Sequence, residues 1–252
     1  MGQRLLGRGE LEQLAMARGR LSTAALAYIA GVSIAAVAAA LILWRSERPA
    51  ASLVVFAVLA GLGMLAHAYP VQGFRHQAYQ VTLPFIVVAG AIFNAWELVA
   101  FIVLIHLAEQ ARLRRRLYIQ WFNLCNYFFS AAVTAAFYHR AIALLPDGAL
   151  GQVAAALAAG CAFVMLNRVL LAGVLWLGRG LSPLASGLFQ PELLGADLIT
   201  IWIAGPMLVL TLESGPWMVL ATAGPLLLAR LALSALLARR ETQVQPIEAR
   251  AA

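Results

Sequence analysis

The sequence predicts an all-α fold: a polytopic integral membrane bundle of about six full spans plus a broken or re-entrant helical hairpin, seven to eight membrane segments in all. Three observations lead there. Of 252 residues, 63% are hydrophobic and only 12% charged, whereas a soluble domain is roughly half apolar and about a quarter charged. Several runs approach 20 apolar residues, about the length of a helix that crosses a ~30 Å hydrocarbon core. All 18 basic residues are arginine, and they gather in loops and tails to give a net charge of +7. That pattern orients a membrane chain. It does not build the folded basic domain that nucleic acid requires, so the expected partner is the lipid bilayer and not nucleic acid.

Three regions follow. Residues 1–22 read as a cytoplasmic amphipathic tail, 23–240 as the transmembrane helical domain, and 241–252 as a disordered cytoplasmic tail. The leading MGQRLLGRGELEQLAMARGR is too long and polar for a signal peptide, and no convincing cleavage site follows it. Gly2 follows the initiator methionine, but Leu6 stands where a myristoylation motif needs Ser or Thr.

The first span runs from Thr23 to Trp44 and ends on an interfacial tryptophan. The loop RSERPA leads through Pro49 into a second span, Ala51 to Tyr69. A turn-rich loop, PVQGFRHQAYQ, follows. Val81 to Glu109 is then apolar over most of its 29 residues but broken by Asn94-Ala95-Trp96-Glu97. As one helix it would span about 43 Å. As a hairpin, each arm of about 14 residues reaches ~21 Å. Asn94 suits an N-cap and Glu97 the matching position of a capping box.

Charge separates the two readings. With Arg4, Arg8, Arg18 and Arg20 on the cytoplasmic side, two spans bring Arg75 back to the cytoplasm. One further crossing would export Arg112, Arg114, Arg115 and Arg116, the strongest basic cluster in the chain. A hairpin retains them, so the hairpin is preferred, either re-entrant or as two short tilted helices. Tyr118–His139, Gly151–Leu177, Leu198–Leu212 and Pro216–Ala238 complete the bundle and leave both termini in the cytoplasm of a cell inner membrane. Pro206 and Pro225 each interrupt an apolar run.

The segment YIQWFNLCNYFFSAAVTAAFYHR carries Asn123, Asn126, Tyr127, Ser130 and Thr134 at steps of three or four, so one helical face is polar. Lipid offers amides no partners, so that face turns toward protein or a wet cavity. Asn167 and Arg168 lie deep in the next long span, and Asp197 opens the one after it. Arg168 at membrane depth costs about 2.5–3.5 kcal/mol unless satisfied. It either pairs with Glu97 or Asp197, binds an anion, or snorkels. Glu97, Asn123, Asn126, Tyr127, Asn167, Arg168 and Asp197 therefore make the candidate ligand pocket, against packing and interhelical hydrogen bonding as the plainer reading.

Glu97 and His106, nine residues apart, allow either a proton relay or a cap beside an interior histidine. His67, His76 and His139 fall near span ends, where interfacial solvation explains them. Cys125 and Cys161 sit in apolar helices as small packing residues. No metal-ligand spacing, catalytic triad or phosphate-cradling loop appears, so no cofactor, no metal and no enzyme activity is expected.

Arg114-Arg115-Arg116, Tyr118, Phe122-Asn123, Tyr127 and Ser130 follow an apolar broken hairpin, and Asn167 lies in the span beyond. In this order the residues from about Val81 to Ala238 resemble the N-terminal multi-span sensor module of bacterial cyclic-di-GMP signalling proteins, which precedes GGDEF or HD-GYP domains. The departure is that no such output domain follows here, which removes any expectation of cyclase or phosphodiesterase activity. The resemblance implies a membrane sensory or ligand-binding module that works by helix repacking, with an unknown small ligand and a separate cytoplasmic signalling partner. The alternative is a small transporter or its substrate-binding subunit.

Overall fold

The computed structural model describes residues 21–46, 48–72, 78–79, 81–222, 224–228, 231–232 and 235. Residues 1–20 of the expected N-terminal tail, the expected C-terminal tail, and the loop residues Arg75 and His76 lie outside them. The described chain is helical but for one short ribbon. Its helices are α1 (Thr23–Trp44), α2 (Leu53–Ala68), α3 (Leu83–Ile92), α4 (Ala95–Leu113), α5 (Leu117–Ile142), α6 (Ala149–Arg179) and α7 (Pro191–Ser214), followed by a 3₁₀ segment, Pro216–Thr222. Between α2 and α3 a two-rung antiparallel ribbon pairs Val71 with Tyr79 and Gln72 with Ala78.

Among the described residues, three helices are long and apolar enough to cross a membrane: Thr23–Trp44, Ala149–Arg179 and Leu193–Ser214. These mark a membrane protein. Leu53–Ala68 and Leu83–Ile92 are apolar but shorter, about 24 Å and 15 Å at ~1.5 Å per residue. Helices α4 and α5 are long but carry the polar residues that build the interior, among them His106, Glu109, Gln120, Asn126 and Ser130. The outer surface is strongly apolar: Ile34, Ile42, Leu53, Leu150, Trp176 and Trp202 are all exposed. A soluble protein rarely presents so much contiguous apolar surface.

The expected break falls at Phe93-Asn94. Asn94 accepts a hydrogen bond from the Glu97 backbone N–H, and the Glu97 carboxylate accepts one from the Asn94 N–H, each at 3.0 Å. That capping box starts α4 where α3 has ended. The arms are unequal, with 10 residues in α3 and 19 in α4, where the sequence suggested two of about 14. Helix α4 runs past Glu109 to Leu113 because no breaker intervenes.

Contacts show that the chain reverses at the break. Phe56, early in α2, packs against Phe93 with ring centroids 5.3 Å apart. His67, in the last turn of α2, meets both Thr82 before α3 and His106 late in α4. So α3 runs antiparallel to α2, and α4 parallel to it. One end of the bundle gathers Tyr69, Thr82 and the arginines after α4, with the Arg112 guanidinium 3.6 Å above the Tyr69 ring. The other end gathers Trp44 against Trp96, 4.2 Å apart, and Arg48, whose Nη1 donates to the Gly90 carbonyl at 3.4 Å.

Close backbone approach sets these positions. A Cβ on Gly63 of α2 would lie 2.8 Å from Phe101 Cε2 of α4, so a larger residue there would have to displace the Phe101 ring. One turn further on, His67 faces His106. Asp197 does not open its helix as the sequence suggested, because α7 begins at Pro191, whose fixed φ suits a first turn.

Candidate functional site

Two buried polar clusters stand out. The first lies at the arginine-rich end, where α2, α4 and α5 converge. His67 is 0% exposed, His106 1% and Glu109 0%. His106 and Glu109 are three residues apart on α4 and so share a face; α2 brings His67 opposite them. His67 Nε2 is 3.3 Å from His106 Nδ1, and Glu109 Oε2 is 3.7 Å and 3.6 Å from those same two nitrogens.

Neighbours hold each member. His67 Nδ1 lies 3.1 Å from Thr82 Oγ1. Gln120, in the first turn of α5, donates through Nε2 to the His106 carbonyl at 2.7 Å. The Tyr127 ring packs edge-on against both imidazoles, with centroids 5.3 Å and 5.0 Å away, and against Phe163 at 5.6 Å. Arg115 Nη2 reaches Glu109 Oε1 at 3.1 Å. It does so because Arg114 takes the left-handed conformation, φ 46°, and turns the chain back after α4. That conformation costs a non-glycine residue about 1 kcal/mol. Gln110 supports the turn by donating to the Arg115 carbonyl at 3.0 Å.

The second cluster joins α5, α6 and α7. Asn126 Nδ2 donates to Asn167 Oδ1 at 2.7 Å, and Ser130 Oγ to Asn126 Oδ1 at 3.4 Å. On the adjacent position of α6, Arg168 donates to Asp197 Oδ2 through Nε at 2.9 Å and Nη2 at 2.5 Å, and through Nη2 to the Leu193 carbonyl at 3.3 Å. The guanidinium is thus satisfied by Asp197, one of the partners the sequence offered, and its side chain is only 7% exposed. Both interactions tie neighbouring helices together, as the plainer reading of these residues required.

The sequence candidates therefore divide. Asn126, Asn167, Arg168 and Asp197 pair as described, and Asn123 on the same helix is half-buried. Glu97 takes part in the capping box. Tyr127 belongs to the histidine cluster instead. His67 corrects the sequence reading outright: it is not solvated at an interface but enclosed. Glu109 and Gln120 were not among the candidates. The signal that would have found Glu109 is its i,i+3 spacing from His106 on one helical face.

A cavity of about 240 Å³ opens between the end of α2, the start of α3 and the C-terminal segment, lined by apolar residues including Leu62, Ala66, Phe85, Val219 and Leu226. Among the described residues its lining carries no charged side chain. His67, His106 and Glu109 each present one ligand atom, all within 4.8 Å of one another. Among the described residues they are the group able to hold a metal ion.

No protein family, curated protein or solved structure matches the chain.

Proposed function

We propose that this chain is an integral membrane sensory or ligand-binding module. Its ligand engages the His67–His106–Glu109 centre, and binding is passed on by repacking of α2, α4 and α5. The observation that carries this reading is a dry, ionisable centre assembled from three helices at one end of the bundle. Ionisable groups enclosed within a membrane protein are costly, and they mark functional sites by default. A ligand that contacts α2 and α4 together changes their relative stability in two packings, which is what a signal by helix movement needs.

On this reading the arginine-rich end faces the cytoplasm. Helices α1, α2, α5, α6, α7 and the C-terminal segment cross the membrane, and α3 with α4 forms the reversing pair. The chain lies in the cell inner membrane with both termini inside, and it passes its signal to a separate cytoplasmic partner without turnover. The likeness to the cyclic-di-GMP sensor module supports the same assignment.

The break at Phe93-Asn94 and Pro206 inside α7 favour one other reading, a small transporter, since interrupted helices build midplane sites in that class. One experiment separates the two. Purified protein is screened in detergent against small ions, metal ions and lipid headgroups, with Glu109→Gln in parallel. Hits are then offered to proteoliposomes. The sensory reading predicts a rise in unfolding temperature that Glu109→Gln removes, with no accumulation inside the vesicles. Accumulation of the ligand contradicts it, and so does a screen in which nothing shifts.

A further inference from the structure

We propose that His67 Nε2, His106 Nδ1 and Glu109 Oε2 bind one divalent transition-metal ion, with zinc as the ion whose bond lengths the site fits. This rests on the ligand-binding reading above and names the ligand class.

The geometry is the first argument. The three atoms form a near-equilateral triangle with edges of 3.3, 3.6 and 3.7 Å. The in-plane point equidistant from them is about 2.05 Å from each, and an ion somewhat out of that plane stays within the ~2.0–2.2 Å range of zinc bonds to nitrogen and carboxylate oxygen. Ligands at that bond length stand about 3.3 Å apart in a tetrahedron and about 3.6 Å apart in a trigonal plane. The observed edges, 3.3, 3.6 and 3.7 Å, lie at or just above these values, nearest the trigonal-plane spacing. Octahedral neighbours would stand closer, near 2.9 Å, so a small ion with three protein ligands fits better than a six-coordinate one. Two imidazoles and a carboxylate are also a borderline-soft set, suited to zinc and its neighbours and not to calcium or magnesium.

The surroundings give the second argument. A ligating histidine usually donates its other ring N–H to an oxygen, which fixes the tautomer. Thr82 Oγ1 occupies that position for His67, 3.1 Å from Nδ1. Arg115 takes Glu109 Oε1 and so turns Oε2 toward the two nitrogens. Gln120 fixes the backbone of the turn that carries His106. All three ligand side chains are enclosed, so water does not compete for the ion.

A proton on His67 Nε2 is the competing occupant of the 3.3 Å edge to His106 Nδ1; a divalent ion would bridge all three ligand atoms at once. Three features weaken its binding. The Arg115 cation lies beside the site, Gln120 Nε2 lies 3.4 Å from His106 Nδ1, the nitrogen the ion would use, and His106 Nε2, which carries the proton when Nδ1 is a ligand, has no hydrogen-bond partner among the described residues. They point to a reversible ion rather than a permanently held one. The ion would tie the last turns of α2 and α4 together, so its arrival and loss bear directly on the packing of those helices.

The test uses the full chain in detergent, stripped with a chelator and titrated with cobalt(II), whose visible absorption reports low-coordinate nitrogen and oxygen ligation. Zinc content after reconstitution is measured by mass spectrometry. The expected result is a saturable visible band and one zinc per chain. Both disappear in His67→Ala and Glu109→Gln and persist in His139→Ala, while Thr82→Val weakens binding about tenfold. If either ligand variant fails to fold, the stripped wild-type protein, folded by circular dichroism, still decides the matter. No band and no retained zinc overturns the proposal, and so does a band that survives both ligand substitutions. In either case another ligand that stabilises the wild type but not Glu109→Gln would leave the sensory reading standing.

Discussion

Replacing Asp197 with alanine is expected to destabilise the folded protein by about 3 kcal/mol, the largest single loss outside the histidine cluster. The reason is Arg168. Its guanidinium makes two of its three hydrogen bonds to Asp197 Oδ2, the third going to the Leu193 carbonyl. Without Asp197 a buried cation would keep one carbonyl. Snorkelling offers little relief. Arg168 lies 11 residues before Arg179 at the end of α6, so about 16 Å of helix separates it from that end, well beyond the roughly 7 Å reach of an arginine. The Asp197 side chain keeps 24% exposure, which holds the loss at the lower end of the range for breaking a buried pair. Thermal unfolding in detergent should show a fall on the order of 10 °C. The double variant Arg168→Met/Asp197→Leu should recover most of it, because removing both charges leaves nothing unpaired. A double variant as unstable as Asp197→Ala would show that the pair does more than neutralise itself.

The second large effect is expected at Arg115. Its Nη2 lies 3.1 Å from Glu109 Oε1, and Glu109 is fully enclosed while Arg115 keeps 30% exposure. Arg115→Ala should therefore cost about 2–3 kcal/mol, mostly as the penalty of a less well compensated buried carboxylate. Its signature differs from that of Asp197→Ala. Adding Glu109→Gln to Arg115→Ala should return part of the loss, since a neutral amide needs no cation. A double-mutant cycle read by chemical unfolding checks this, and strict additivity of the two losses would contradict the coupling.

The sequence made part of this legible and hid the rest for physical reasons. The reversal at Phe93-Asn94 was visible because a capping box is a local signal, carried by Asn94 and Glu97 within one turn. The expected limits of α1, Thr23 and Trp44, match the helix itself, since an uninterrupted apolar run between a serine cap and a tryptophan leaves little choice. Arg168 and Asp197 were recognisable as partners because a charge at that depth demands one. The histidine cluster was not legible as a unit. His67 and His106 are 39 residues apart, and they meet only because α3 returns the chain. Periodicity along a single helix cannot register such a meeting. Glu109 was overlooked since it ends an apolar stretch, where an acidic residue ordinarily reads as solvated. The unequal arms of the broken segment are hidden because the helix formers Gln110, Ala111, Arg112 and Leu113 carry the helix past the apolar run without a breaker.

The account depends on the chain turning back between α3 and α4, because only that turn places His67 beside His106 and Glu109. Site-directed labelling in sealed, oriented membrane vesicles measures it directly. With Cys125 and Cys161 replaced by alanine, single cysteines are introduced at Tyr69, Trp96 and Leu113, all exposed positions, and treated with an impermeant thiol reagent. The account predicts that 69 and 113 react from the same side of the membrane and 96 from the opposite side. Labelling of 69 and 113 from opposite sides would mean that the segment crosses only once, and the buried centre could not form.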